Sequence, residues 1–272
     1  LNKYFFRLLP IVIICIAVVG CKKEEAPNPE NFGYLTTGCR LASWGMFFSK
    51  YDSDNRLTEI YNNVFYFPAT PATELYRTLE YENGELKRII VPKFEPKEVI
   101  QERREAWTEV EYEYGQYGVT TIRKFGYEGM RNGKIARIET SRHEFKYNNS
   151  RKPVELLTYA YYSREVDYLR VRGKRTFEYD SKGNLSNEIS ESIIDGKVES
   201  TLPIKYYYDD YPNTTKVLNF IDFDYIEAHK IFSTNNPIRV EYPGQVIDFN
   251  LTYDDHRNVI GKSPEMIKWD CK

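Results

Sequence analysis

The sequence predicts an all-β chain: a large, twisted antiparallel meander of hairpins, as an open sheet or a partly closed barrel, with at most one short helix. Two observations predict it. A strand–turn–strand pattern, fullest in Arg175–Ile189 (RTFEYDSKGNLSNEI), recurs in degenerate copies through most of the chain. Tyrosine is also abundant, with 24 in 272 residues, while methionine is scarce at 3. Tyrosine favours strands with one dry face and one wet face.

The N-terminus has a different character. Lys3 and Arg7 precede an apolar run, Leu8–Val19, and Val18-Val19-Gly20-Cys21 follows. The run is too short to span a bilayer and ends in a small residue before cysteine, as a cleaved export signal does. Val-Val-Gly-Cys resembles the lipobox of bacterial lipoproteins. The resemblance implies that residues 1–20 are removed and that Cys21 carries the acyl chains that join the protein to a membrane. The alternative is an ordinary secretory signal with an incidental cysteine. Residues 21–33 read as a tether, and its Lys22-Lys23-Glu24-Glu25 resembles the surface-export signal of Bacteroidetes lipoproteins. That resemblance implies the exterior of the outer membrane; the alternative is a merely solvated charged stretch. Residues 34–272 read as one domain. Loss of Lys3 and Arg7 with the signal moves the net charge from −2 to −4, and without a long basic stripe a nucleic-acid partner is excluded.

Four cysteines are present. Cys15 leaves with the signal and Cys21 is assigned to lipid. The remaining Cys39 and Cys271, one near each end of the domain, form a disulfide candidate in an exported protein. Two unpaired thiols are the alternative.

The hairpins follow in order. Phe47–Ile60 (FFSKYDSDNRLTEI) turns at Asp52–Asn55, and Arg77–Ile90 (RTLEYENGELKRII) turns at Asn83-Gly84. Asn-Gly suits a type I′ turn, in which both central residues need positive φ. Pro96–Trp107 is the one plausible helix, with Pro96 at its first position and Val99, Ile100, Ala106 and Trp107 on one stripe. Val110–Tyr114 alternates apolar and acidic residues, so it is a strand. Asn132-Gly133 marks another turn, and Pro153 marks the start of a returning arm after Tyr147-Asn148. A Tyr-rich strand, Tyr161–Arg172, leads into the reference unit, and Asp195-Gly196 turns once more. Ile204–Phe220 and Phe249–Ile260 supply two further units, with Asn235-Asn236-Pro237 and Pro243-Gly244 punctuating the segment between them. In each copy an acid or Asn after Tyr can bond the backbone two residues on, and a later Gly or Asn accepts a left-handed conformation. The Tyr ring is expected to pack across the strand pair and to keep its hydroxyl wet.

Tyr179-Asp180-Ser181-Lys182-Gly183-Asn184-Leu185 resembles the YD repeat of Rhs-type shells. Together with the lipobox, and with Asn236-Pro237-Ile238 ahead of Phe249–Tyr253, the chain resembles uncharacterised Bacteroidetes lipoproteins with YD-like hairpins. The resemblance covers most of residues 45–262 and implies an antiparallel meander with no catalytic residue to carry over. Gly is missing from the corners at Tyr51, Tyr147, Tyr208 and Tyr253, a departure from the strict repeat.

Reactive constellations are few. His143, His229 and His256 stand far apart, without partners at ligand spacing, so no metal and no cofactor is expected. No Gly-rich phosphate loop and no Gly-x-Ser-x-Gly elbow occurs. Asp209-Asp210, Asp222 with Asp224, and Asp254-Asp255 are paper candidates for a hydrolytic carboxylate pair, but turn closure accounts better for the first and last. Aromatic side chains are the better lead. Trp44, Trp107, Trp269 and the run Tyr206-Tyr207-Tyr208 are candidates for stacking on a sugar or anchoring a partner, against the plainer role of cross-strand packing. The reading is a surface lipoprotein, not an enzyme, that binds a glycan, a peptide or an envelope protein. Its alternatives are a structural envelope scaffold and a carboxylate-dependent glycoside hydrolase.

Overall fold

The computed structural model describes residues 39–44, 46–66, 70–92, 106–129, 135–160, 169–214, 216, 227–261 and 267–271. Cys21, the signal, the tether, Asn132-Gly133, and Asp222 and Asp224 lie outside them. Fifteen strands form one antiparallel sheet. They are β1 (Cys39–Trp44), β2 (Phe47–Tyr51), β3 (Leu57–Tyr66), β4 (Thr70–Glu82), β5 (Glu85–Pro92), β6 (Ala106–Gly115), β7 (Gly118–Gly129) and β8 (Ile135–Tyr147). The chain continues through β9 (Pro153–Ala160), β10 (Arg170–Tyr179), β11 (Leu185–Ile194), β12 (Lys197–Pro212), the helix α1 (Ala228–Phe232), β13 (Asn235–Tyr242), β14 (Gln245–Asp248) and β15 (Ile267–Cys271). Every strand lies beside its sequence neighbours except β15, which returns to pair with β1. The predicted all-β meander is thus the fold.

Two local expectations are corrected. Ala106 and Trp107 are not helical: they open β6, with Ala106 opposite Pro92 and Thr108 opposite Val91. The alternation that follows them gains a full ladder of cross-strand bonds, which outweighs a weak helical stripe. The rest of that segment, and the Trp107 side chain, lie outside the described residues. Asn235–Pro237 does not punctuate a loop but starts β13.

The corners explain why unequal sequences make equal hairpins. At Asp52, Asn148, Asp180 and Asp254 the side-chain Oδ1 accepts the N–H groups two and four residues on, at 2.8–3.0 Å. The third residue on is left-handed in each: Asn55, Arg151, Gly183 and Arg257, at φ 59–85°. Glycine is therefore not required. A left-handed arginine costs roughly 1–2 kcal/mol, and two hydrogen bonds to the corner side chain offset it, charge-assisted at Asp254 and neutral at Asn148.

The expectation of wet tyrosine hydroxyls is also corrected. Tyr51, Tyr81, Tyr114, Tyr147, Tyr179 and Tyr208 donate to the carbonyls of Leu41, Leu57, Leu86, Val119, Pro153 and Leu185, at 2.7–2.9 Å. From Tyr81 onward, each acceptor is the first or second residue of the returning arm of the preceding hairpin. The tyrosines thus form a lock from hairpin to hairpin along one rim, where β3, β5, β7, β9 and β11 begin. Burial pushes the phenols of Tyr51, Tyr81, Tyr147, Tyr179 and Tyr208 up, Tyr147 to about 12.

The sheet is open in its hydrogen bonding yet strongly curled. β12 and β15 stand twelve places apart in strand order, about 58 Å on a flat sheet with strands ~4.8 Å apart. A single residue nevertheless bonds to both neighbourhoods. The Val259 N–H donates to Thr214 Oγ1 just beyond β12 (2.9 Å), and its carbonyl accepts Trp269 Nε1 of β15 (3.0 Å). Residues 249–261 are thus a strap that draws the two ends together. The strap contains the bridge Tyr253–Val259, a vestige of the hairpin expected there. Curling gives the sheet a covered inner face, whose one core runs from Leu41 to Val240 and includes Ile60, Ile89, Tyr112, Leu156 and Phe177. At the strap's rim Cys39 faces Cys271 in register, and their sulfurs are bonded.

Candidate functional site

The sixth corner departs from the others. Asp209 Oδ1 accepts the N–H of Tyr211 two residues on, but its second donor is the N–H of Asn236 rather than that of residue 213. The corner has been opened, and a segment of the chain containing α1 is inserted within it. The returning arm is therefore β13; residues 215 and 217–220 of the unit expected over Ile204–Phe220 lie outside the described residues. Asn236 secures the base of the insertion by donating to the Pro212 carbonyl (2.9 Å) and accepting from Thr214 N (3.1 Å). Asn213 Nδ2 donates to the Lys230 carbonyl (2.7 Å) and the Ser233 carbonyl (3.2 Å) at the C-terminal end of α1.

Helix α1 plugs the concave face. Ala228 and Ile231 join the core, and the Phe232 ring sits 5.8 Å from those of Phe145 and Phe177. His229 stacks on Tyr206 at 4.7 Å. Beside it lies a buried polar cluster. Arg175 grips Glu188 with Nε–Oε1 at 2.6 Å and Nη2–Oε2 at 3.2 Å, with the Glu188 side chain 2% exposed. The Tyr206 hydroxyl donates to Glu188 Oε2 at 2.8 Å, and burial, then Glu188, drives its pKa up. His143 Nδ1 lies 3.1 Å from Thr158 Oγ1. Burial, reinforced by neighbouring cations, lowers His143 to about 4 and His229 to about 3, so both are neutral near pH 7. The hydrogen bonds of the cluster tie β8 to β9 and β10 to β12 through β11, while His229 joins it by stacking, its buried Nε2 without a hydrogen-bond partner.

The outer face is divided in character. Across β2 to β10 it carries ion pairs: Lys50–Glu59, Glu80–Arg88–Glu109–Arg137–Glu111, Glu113–Arg123–Glu139–Arg142–Glu144 and Lys146–Glu155–Lys174. Apolar inside and charged outside is the inverse of a lipid-facing barrel. Beyond β10 the character changes. Ile189, Val198, Tyr207, Tyr211, Ile238 and Val246 are exposed on β11–β14, Tyr207 at 42% and Val246 at 55%, beside the exposed Arg239–Asp248 pair; Leu202, also exposed, shares the inward parity of Ile204 and Tyr206. On the rim above them the Tyr211 ring meets that of Tyr253 at 4.9 Å, with the Arg257 guanidinium 5.4 Å from the Tyr211 ring.

The aromatic residues singled out from sequence are distributed through the packing and do not form one patch. Tyr206 is buried against α1. Tyr208 is half-buried, donates to Leu185 and accepts from Ser233 Oγ. Trp44 stacks on Phe47 at 5.1 Å, and Trp269 donates to the strap. Alternation explains why sequence missed the exposed ring: within Tyr206-Tyr207-Tyr208, only Tyr207 faces outward. Of the paper carboxylates, Asp209 accepts from the Tyr253 hydroxyl as well as from Tyr211 and Asn236, and Asp254 closes its turn.

No family model matches the chain, and no curated protein matches it. Among solved structures, a porin-like protein from Bacteroides uniformis aligns at 12% identity and TM-score 0.45, covering 78% of this chain and 79% of that one. A porin-like protein from Bacteroides vulgatus aligns at 10% identity and TM-score 0.44, covering 84% and 96%. A protein of unknown function from Bacteroides fragilis aligns at 11% identity and TM-score 0.35, covering 46% and 88%. Likenesses at this level do not say what the chain binds.

Proposed function

We propose that the protein is a lipid-tethered, outward-facing envelope module that acts by non-catalytic binding, with β11–β14 as its contact surface. The observation that carries this reading is the higher share of exposed apolar side chains on those strands, next to strands β2 to β10, where ion pairs dominate and Phe48 and Leu75 are the exposed apolar groups among the described residues. Contact surfaces differ from the rest of a protein's surface in this way, being poor in charge and enriched in rings. The lipobox-like Val18–Cys21 supplies the tether, and the YD-like corners supply the rigid sheet. The ion-pair ladder favours a second reading, in which the sheet serves only as an envelope scaffold.

The test has two parts. Cys21→Ala should move the protein from the membrane fraction to the soluble fraction; unchanged membrane association overturns the tether. The purified chain is then screened against polysaccharides and solubilised envelope proteins beside a Tyr207→Ser, Val246→Ser double variant. A saturable interaction lost in the variant supports the β11–β14 surface. An interaction kept at full strength by the variant refutes that surface, and silence throughout favours the scaffold.

A further inference from the structure

The strap brings a third group to the disulfide. Cys39 Sγ, Cys271 Sγ and a His256 ring nitrogen all lie within 4.8 Å of one another. None of the three sits there by virtue of the S–S bond alone. Cys39 and Cys271 are opposed by the β1–β15 ladder, which also includes Leu41 opposite Trp269 and Trp44 opposite Ile267. Arg40 Nε adds a 2.7 Å bond to Asp270. His256 is carried on the Asp254 turn, whose Oδ1 accepts from His256 N at 2.9 Å and Asn258 N at 2.8 Å. That turn is held to β15 through Trp269 Nε1 and the Val259 carbonyl. Ladder, ion pair and turn would hold the same three side chains together if the sulfurs were parted.

We propose that, once its disulfide is reduced, this corner is a binding site for a thiophilic divalent cation of the zinc class, ligated by Cys39, Cys271 and His256. The chemistry balances with a dithiol as reductant. A dithiol thiolate attacks the sulfur of Cys271, the less buried of the two residues, and the buried Cys39 Sγ leaves as thiolate. The second reductant thiol then displaces the mixed disulfide, which gives two protein thiols and an oxidised cyclic reductant. Cation binding releases two protons, because thiolates are the ligands. Two thiolates and one imidazole suit zinc, with Zn–S near ~2.3 Å and Zn–N near ~2.0 Å. A tetrahedral pair of thiolates at that bond length sits ~3.7 Å apart. The sulfurs must therefore separate from their bonded 2.05 Å, a movement that rotation about the two Cα–Cβ bonds can supply across one strand pair. Water fills the fourth position. The oxidised form has no thiolate to offer, so the disulfide and the cation exclude one another.

The experiment uses the full chain in detergent with Cys15→Ser and Cys21→Ser, which leaves Cys39 and Cys271 as its only thiols. Co²⁺ is the probe, titrated into reduced and oxidised protein while near-UV circular dichroism follows the fold. The expected result is one equivalent bound to the reduced form only, with thiolate-to-cobalt charge transfer and the intense visible bands of tetrahedral cobalt. Excess Zn²⁺ should bleach them. His256→Ala should weaken binding by at least about tenfold, since loss of even an outer-shell partner costs 10–100-fold. Absence of the bands overturns the proposal, as does equal affinity in His256→Ala. Unfolding on reduction overturns it too, because the ligand set exists only while β15 remains against β1.

Discussion

Tyr179→Phe tests the rim lock most directly. The substitution keeps the ring in place over Lys152 and removes only the hydroxyl that bonds to the Pro153 carbonyl at 2.8 Å. The hydroxyl is buried enough to push its pKa up strongly, with desolvation the first cause. A net hydrogen bond is worth about 0.5–1.5 kcal/mol, and a buried acceptor left short of a partner costs about 1–3 kcal/mol more. The carbonyl keeps a second lone pair for the sheet, so the expected loss is on the order of 1–2 kcal/mol. The control is Tyr61→Phe, whose hydroxyl bonds half-buried, charged Glu59 at 2.8 Å and where ±0.5 kcal/mol is expected. Urea unfolding of both variants with unchanged m-values provides the measurement. A Tyr179→Phe loss no greater than that of Tyr61→Phe would refute the idea that hydroxyl locks, rather than ring packing, join one hairpin to the next.

Two further outcomes follow from the plugged interior. His143 and His229 titrate near 4 and 3 in the fold against 6.5 as the ordinary value. Between pH 6.5 and 4 the unfolded chain therefore binds protons that the folded chain refuses, and stability falls as pH falls through that window. From pH 8 to pH 5 the loss is on the order of 2 kcal/mol for each imidazole. In His229→Phe, which preserves the stack on Tyr206, the pH dependence of the urea midpoint should flatten by about one such share; an unchanged slope rejects the assignment. Glu188→Ala removes the bidentate carboxylate that Arg175 grips in the interior and should cost about 3–5 kcal/mol by the same assay, whereas an Arg175→Met, Glu188→Leu pair should cost much less. Equal losses in the two variants would show that volume, not charge, matters there.

The hairpin grammar was legible because it is local. Asn83-Gly84 and Asp195-Gly196 adopt the positive φ values their residue types suggest, and β9 begins at the Pro153 expected to start an arm. A missing glycine was a poorer guide, since the bonds made by Asp52, Asn148 and Asp254 hold Asn55, Arg151 and Arg257 left-handed where glycine was looked for. The site was much less legible. Nothing in the spacing around Asp209 announces that Asn236, 27 residues later, completes its turn. His143, Arg175, Glu188, Tyr206 and His229 meet only because neighbouring strands and an inserted helix bring them together.

By itself, then, the sequence determined where most of the hairpins turn and which residues alternate between faces. These follow from backbone preferences and from a period of two, both set by near neighbours. Tertiary structure alone decided that the sheet curls until Val259 bonds to both of its ends, and that the tyrosine hydroxyls become locks. It also decided that His256 stands beside the bond between Cys39 and Cys271. The physical reason is curvature. It accumulates from small twists over fifteen strands, and no single stretch of residues encodes the sum.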